Sequence, residues 1–256
     1  MSKMDNALYQ VNYLDNSARL NKPINNIYPV YKLIITFLFI ILVVSVNKYN
    51  LNNLLLMSSY LIISFIFSDI SFITSMKKIK YILPVIFFMG IFNPIMDKEI
   101  YTTIGNLNIS FGFISMITLF IKGVFSVLAS YLLIATTTIE KICYAFRKLL
   151  IPEIIVTQIL LTYRYLTVLL TQANTIFQAY SLRAPQQKGV HYKVWGSLTG
   201  QLLMRSIDSA NDIYQSMLLR GYNGNFEFLN ITISSKDNYY LLIYTTILFT
   251  LRFITI

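Results

Sequence analysis

AYSLRAPQQKGVHYKVWGSLTGQLLMRSIDSANDIYQSMLLRGYNG, residues 179–224, carries two helix endings of like form. An apolar, helix-patterned stretch runs into Ser181-Leu182-Arg183-Ala184 and stops at Pro185. A second runs into Leu218-Leu219-Arg220-Gly221 and stops at the glycine. Proline cannot continue a helix, and glycine favours the left-handed residue that follows one. Each ending puts one arginine in the last helical turn, with a small residue after it. A cation there has an ordinary reading, because the helix macrodipole favours it by about 0.3–1 kcal/mol. Two such ends in one basic block admit a second reading. A guanidinium offers a planar fork of donors to a partner's carboxylate or carbonyl, and the small residue lets the helix tip approach another backbone closely. The residues alone leave both readings open.

The helices behind these ends are legible in the spacing. Pro152 fits the first helical turn, where its missing N–H costs nothing. Apolar residues then recur at Ile155, Ile159, Leu166, Leu169 or Leu170, Ala173, Ile176 or Phe177, and Tyr180. That is helical spacing. A polar stripe recurs at Thr157, Arg164, Thr171 and Gln178. A helix over 152–182 would be roughly 45 Å long. The same stretch could be read as a membrane span over 151–171. Arg164 in its middle opposes that, at roughly 2.5–3.5 kcal/mol on insertion scales, so a cytoplasmic or interfacial helix is expected. The second helix is expected over 194–220. Leu203, Ile207, Ala210, Tyr214 and Met217 form a seam of alternating three and four residues, the pattern of a helix lying along a partner. Arg205 with Asp208, and Ser209 with Asp212, give it a polar face. Trp195 and His191 stand at its start, and His191 reads as solvated or interfacial rather than as a ligand.

The rest of the chain reads as membrane anchor. It is 55% hydrophobic and 12% charged, with a mean hydropathy of +0.59, where soluble domains carry roughly 25% charge. Alternating ten-residue strands of barrel type are absent from the pattern. The expected class is therefore all-α: a polytopic helical membrane protein with about five transmembrane helices and a cytoplasmic module of long helices. The net charge is +10, but the cations lie beside apolar segments instead of on a soluble domain, which argues against a nucleic-acid partner. With one cysteine, Cys143, and one histidine, His191, neither a disulfide framework nor a metal site is expected, and no cofactor is expected.

Four regions follow. Residues 1–27 form a polar cytoplasmic arm without a cleavable signal. In it Leu14-Asp15 and Ala18-Arg19 suggest a short surface helix, with Asp15 a solvated acid. Residues 28–139 hold four spans, at 28–46, 54–73, 81–96 and 111–138. Asp69 and several serines soften the end of the second. The third is short against the roughly 20 residues a crossing needs, with Pro84 and Pro94 near its two ends. A polar loop, 97–110, precedes the fourth, which contains Lys122. Residues 140–229 are the cytoplasmic helical module. Residues 230–256 hold the last span, at 239–256, with Arg252 near its outer end.

Charge sets the orientation, since cytoplasmic loops carry excess lysine and arginine. With the N-terminus inside, Lys3, Arg19, Lys22 and Lys32 are cytoplasmic, as is the 77–80 loop with Lys77, Lys78 and Lys80. The first loop, with Lys48, and the 97–110 loop, with Lys98 against Asp97 and Glu99, lie outside. The module then places Lys141, Arg147, Lys148, Arg164, Arg183, Lys188, Lys193, Arg205 and Arg220 inside. The opposite orientation would export nearly all of these.

Other classes fare worse. An intramembrane enzyme needs convergent acids, histidines or a nucleophile, and the acids here are scattered. There is no phosphate-binding glycine loop. A self-sufficient secondary transporter would show an inverted repeat with matched broken helices, and no repeat is visible. Lys122 is an intramembrane charge, a functional flag that snorkelling or pairing within the bundle would also explain.

At residues 196–224, GSLTGQLLMRSIDSANDIYQSMLLRGYNG, the chain resembles the transmembrane T component of energy-coupling factor (ECF) ABC importers, in the CbiQ-like branch associated with cobalt and sometimes nickel. The order of parts agrees: an arm with Leu14, Asp15 and Ala18, four spans, a cytoplasmic helical module and a final span. The resemblance covers most of the chain and is specific over 181–224. It implies a non-catalytic subunit of an ATP-driven transporter in the cell membrane. The implied partners are two cytoplasmic ABC ATPase subunits, a substrate-capturing membrane S subunit (CbiM-like) and the lipid bilayer. Ala-Arg-Gly-type motifs at the tips of crossed coupling helices dock on the ATPases in this family. Carried over, the docking residues are Ser181, Leu182, Arg183 and Ala184 at the first tip, and Leu219, Arg220 and Gly221 at the second. Both depart from the family form, with leucine before each arginine and alanine for glycine in the first. The resemblance implies that ATP-driven closure moves the tips and that the helices act as levers on the S subunit. Cobalt is the implied substrate, with nickel or a vitamin as alternatives.

Overall fold

The computed structural model describes residues 15–20, 22–97, 100–104, 107–187, 189–224, 226 and 234–253. Residue 14 and residues 230–233 of the 230–238 linker lie outside them. The chain forms two compact units. One comprises residues 17–138 and 231–256, the other residues 1–16 and 139–230.

The first unit begins with the end of a short helix, α1 (residues 15–19), where Ala18 is buried. A single 3-10 turn, Pro23–Asn26, follows. Then come α2 (Pro29–Ser45), α3 (Leu51–Ser68), α4 (Phe72–Ile79), α5 (Leu83–Gly90), α6 (Asn93–Met96), the strands β1 (Ile100–Ile104) and β2 (Leu107–Ser110), α7 (Phe111–Thr136) and, after the second unit, α11 (Ser235–Phe253). Helix α7 is the hub, packed against α2, α3, α4, α5 and α6, and α11 closes on α2 and α3.

The core is built from helical spacing. Ile35, Phe39 and Val43 of α2 meet Leu54, Met57, Leu61 and Phe65 of α3, Val124, Leu128 and Leu132 of α7, and Tyr244 and Leu248 of α11. Phe39 and Tyr60 stack with ring centroids 4.4 Å apart. The opposite faces are as apolar as the core: Phe37, Ile41, Ile62, Ile66 and Phe88 are all exposed. Helices apolar all round belong in lipid, where close packing instead of water exclusion holds them together.

Several expectations change here. The second span was expected to run to residue 73. It ends at Ser68 because Asp69 adopts the left-handed conformation (φ 49°), and α4 turns away at 115°. The third span is interrupted by a turn at residues 91–92 into α5 and α6, and Pro94, at the start of α6, still lies near the end of the apolar segment Leu83–Ile95. The 97–110 loop contains an antiparallel hairpin, with Thr103 opposite Asn108. Gly112 anchors the return into α7: a Cβ there would lie 2.6 Å from the carbonyl oxygens of Asn93 and Asp97. The fourth helix stops at Thr136, and α11 starts four residues before the expected span.

Among the described residues, α7 and α9 (Glu153–Arg183, in the second unit) are long and apolar enough to cross a membrane by length and composition, and α3 with α4 makes a third if the bent pair counts as one. Pro29–Ser45 and Leu83–Ile95 are shorter apolar helices.

Lys122 has a structural explanation. Its Nζ donates to the carbonyls of Val44 (3.0 Å) and Val46, and Arg252 donates to that of Ser45 (3.3 Å). These carbonyls are the unsatisfied end of α2. Lys32 of α2, buried, donates in turn to Thr136 O (3.0 Å) and Thr137 Oγ1 (3.3 Å) at the end of α7. Each of these two helices thus carries a lysine that caps the other, where the macrodipole favours a cation.

Candidate functional site

The second unit is built on α8 (Ile139–Lys148), α9 (Glu153–Arg183) and α10 (Tyr192–Leu219). Helix α8 was not foreseen as an element of its own. It buries Cys143, Tyr144 and Ala145 and carries Glu140 in its first turn and Arg147 and Lys148 in its last, the favourable arrangement of charge at both ends. Burial pushes the Cys143 thiol up to about 11. Arg147 ties this unit together. It pairs with Glu153 at the start of α9 (2.5 Å) and donates to the Phe226 carbonyl beyond α10.

Between α8 and α9 the chain turns at Leu150, which has φ 63° and is 92% exposed. The Leu150 N–H bonds Arg147 O and the Ile151 N–H bonds Phe146 O, both at 3.2 Å. This is the paired 5→2 and 6→1 closure usually built on glycine. Pro152 then stands as the N-cap of α9, not within its first turn.

Helices α9 and α10 pack through Ala173, Ile176 and Phe177 against Leu198, Thr199 and Leu202. Gln172 Nε2 donates to Ser209 Oγ at 3.2 Å, and the Phe177 and Trp195 rings meet edge to face at 5.8 Å. Their connection is pinned by Tyr180, whose hydroxyl bonds Gln187 Oε1 at 2.6 Å. His191 is the N-cap of α10, its Nδ1 accepting the Lys193 N–H at 3.3 Å.

The seam expected on α10 is not the face that meets α9. Leu203, Ile207, Ala210 and Tyr214 are exposed, and only Met217 is half-buried. The half-buried stripe is Val194, Leu198, Leu202, Ser206, Ser209 and Ile213. Helix α10 has apolar residues on two faces, and spacing does not say which face the same chain covers. On α9, Ile155 and Ile159 are likewise exposed, while Val156 is buried. The inward stripe lies one residue away from the expected one in that half and on it at Ala173 and Ile176.

At the first tip, Ser181 Oγ donates to Gln178 O at 2.8 Å, Leu182 is 82% exposed and Arg183 is the exposed last residue of α9. Ala184 is the C-cap, with φ −130° and ψ 62°, its N–H on Tyr180 O at 3.1 Å. At the second tip, Leu219 is 89% exposed, and Arg220 is the C-cap instead of a residue of the last turn. Gly221 has φ 84°. The Gly221 N–H bonds Leu218 O at 2.9 Å and the Tyr222 N–H bonds Met217 O at 3.0 Å, a glycine-built Schellman end. The two tips are not neighbours. Helix α10 begins just past the first tip, and its 28 residues carry the second roughly 42 Å along its own axis.

Both tips thus present an exposed leucine and an exposed arginine on a helix end.

The sequence was also compared with known proteins. It aligns with an uncharacterized protein of Methanocaldococcus jannaschii, MJ1571, at 28% identity over 243 residues, covering 90% of this chain and 82% of that one. A second uncharacterized protein of the same organism, MJ1089, aligns at 29% identity over 108 residues, 42% of this chain and 40% of that one. Residues 21–228, from the arm through both tips, match the family described as "CbiQ: Cobalt transport protein". The chain is a membrane transport protein of the CbiQ cobalt transport family.

Proposed function

We propose that this chain is the energy-coupling T subunit of an ECF-type ABC importer that brings cobalt into the cell. The observation that carries the reading is the pair of exposed leucine-arginine tips ending α9 and α10 in a chain of a cobalt transport family. Two cytoplasmic ATPase subunits take one tip each through Ser181, Leu182, Arg183 and Ala184, and through Leu219, Arg220 and Gly221. The separation of the tips along α10 suits two partners better than one. The chain is multi-pass and N-terminus-in, and residues 140–229 lie on the cytoplasmic side. Helix α9 is long and apolar enough to span, but Arg164 stands exposed in its middle, and a crossing there would export Arg183 and Arg220.

The chain performs no chemistry in this mechanism. Nucleotide binding closes the ATPases and displaces the tips. Helices α9 and α10, packed along Ala173, Ile176, Leu198 and Leu202, pass the displacement on as rigid levers where a loop would absorb it. The exposed seam Leu203, Ile207 and Tyr214 is the surface offered to the substrate-capturing subunit, which tilts to open inward.

Uptake tests this reading. Cells expressing the chain with its ATPase and capturing subunits should accumulate radiolabelled cobalt, and omission of this chain should abolish uptake. Accumulation of nickel or a vitamin in place of cobalt would reassign the substrate. Uptake that persists without the chain would contradict the coupling role.

A further inference from the structure

In the first unit, α4 joins two apolar helices and is unlike either. Helix α3 before it exposes Ile62, Ile66 and Phe67, and α5 after it exposes Val85, Phe88 and Met89. In a membrane protein both of those faces meet lipid. Between α3 and α4 the left-handed Asp69 turns the chain by 115°, not far from a right angle. A crossing α3 therefore lays α4 along the bilayer surface. Three residues link Ser68 to Phe72, and three link Ile79 to Leu83. Links that short span roughly 10 Å, so neither end of α4 can leave that surface.

The residues of α4 suit that plane. Ser75 and Ile79 are buried against the bundle, and the Phe72 ring meets Phe65 edge to face at 5.3 Å. Lys78 stands over the Tyr131 ring of α7, 5.7 Å from its centroid. The outer side is mixed. Ile73 is exposed, Lys77 follows one turn on, and Lys80 three residues later, both exposed. Spacings of four and three put these residues side by side. Tyr81, 85% exposed, comes next, and tyrosine is a residue that settles at head-group level. Lysine stems lie along apolar surface while the ammonium reaches out of it. From residue 51 to residue 96 the chain holds one acid, Asp69, which stands before α4, whereas the lysines stand at and just past its last turn. No described acid pairs with Lys77 or Lys80.

We propose that α4 is an interfacial helix whose Lys77 and Lys80 bind the phosphates of anionic phospholipids, with Ile73 and Tyr81 dipping below them. Two ammonium groups without an acid opposite favour a head group of net negative charge over a zwitterionic one, each by roughly fivefold. An acidic face of a soluble partner has the same charge. It would have to reach α4 through the head-group layer in which α3 and α5 hold it. On the orientation proposed above these lipids belong to the cytoplasmic leaflet. The site itself does not depend on that orientation or on the transport reading.

The test uses the full-length protein in bilayers and lipids brominated on their acyl chains, which quench tryptophan on contact. The chain has one tryptophan, Trp195, so Trp195→Phe with Tyr81→Trp leaves a single reporter beside α4. Brominated phosphatidylglycerol should quench it at a mole fraction at least about fivefold lower than brominated phosphatidylcholine does. Added salt should shrink that preference. In the same background, Lys77→Gln with Lys80→Gln should bring the two lipids level, and Lys77→Arg with Lys80→Arg should keep the preference. Each variant is first shown to keep its helical circular dichroism and melting curve. Equal quenching by the two lipids before either lysine is changed overturns the site, as does a preference that survives the glutamine pair. Loss in the arginine pair as well would mark the lysines as structural and also overturn it. Quenching by neither lipid would mean that something other than lipid, such as an acidic partner, covers α4.

Discussion

The C-termini of α9 and α10 carry like residues and stop by different means. Helix α9 ends on Arg183, and Ala184 leaves the helix at φ −130° ahead of Pro185. Helix α10 ends on Leu219, Arg220 caps it, and Gly221 closes it at φ 84°. Alanine at 184 is therefore no degraded glycine. That position never enters the left-handed region where glycine is favoured. What the tips share is the exposed leucine followed by arginine, and this shared part is the one a partner would read.

Accessibility gives the sharpest contrast. Cysteines placed by Leu182→Cys and Leu219→Cys should react alike with a soluble thiol reagent at pH 8. Cys143, buried and with its thiol pushed up to about 11, should react at least about a hundredfold more slowly, because the thiolate is the reacting species. Raising the pH towards 11 should narrow the gap. Unequal rates at the two tips would break their likeness.

Backbone strain comes next. Nothing lies within 4 Å of a Cβ built at Gly221, so Gly221→Val probes conformation alone. A β-branched residue there should cost about 2 kcal/mol and speed amide exchange at Tyr222 roughly thirtyfold. The third helix end, at α8, gives the mirror experiment. Leu150 holds the glycine role at φ 63°, so Leu150→Gly should stabilise that turn by about 1 kcal/mol, slowing exchange at Ile151 about fivefold. Smallest of all should be Ala184→Gly, where only chain entropy changes. It should cost roughly 0.5 kcal/mol, with exchange at Ala184's own position rising about twofold. A larger loss there than at Gly221 would reverse the account of the two ends.

Much of this was legible in the residues. Pro152 and Pro185, and Gly221 after an apolar run, bounded α9 and α10 to within about two residues. The membrane character followed from charge content. Three things were not legible, each for a physical reason. A left-handed Asp69 breaks α3, but an aspartate in an apolar run does not announce its φ. The α8 turn is built on a leucine where glycine would have been the signal. Which face of α10 meets α9 could not be read, because two apolar stripes share one helix and burial is decided by α9. Of the two lysines that cap opposite helices, Lys122 was flagged as a charge out of place, and its carbonyl partners are far away in sequence.

The most direct test of the central claim is retention of the ATPase subunits by the membrane-inserted chain. Wild type should hold both through affinity purification, Arg183→Glu and Arg220→Glu should each release most of the ATPase, and the double substitution should release all of it. If every variant inserts and retains the ATPase as wild type does, the two arginines serve only their own helix ends, and the coupling account is wrong.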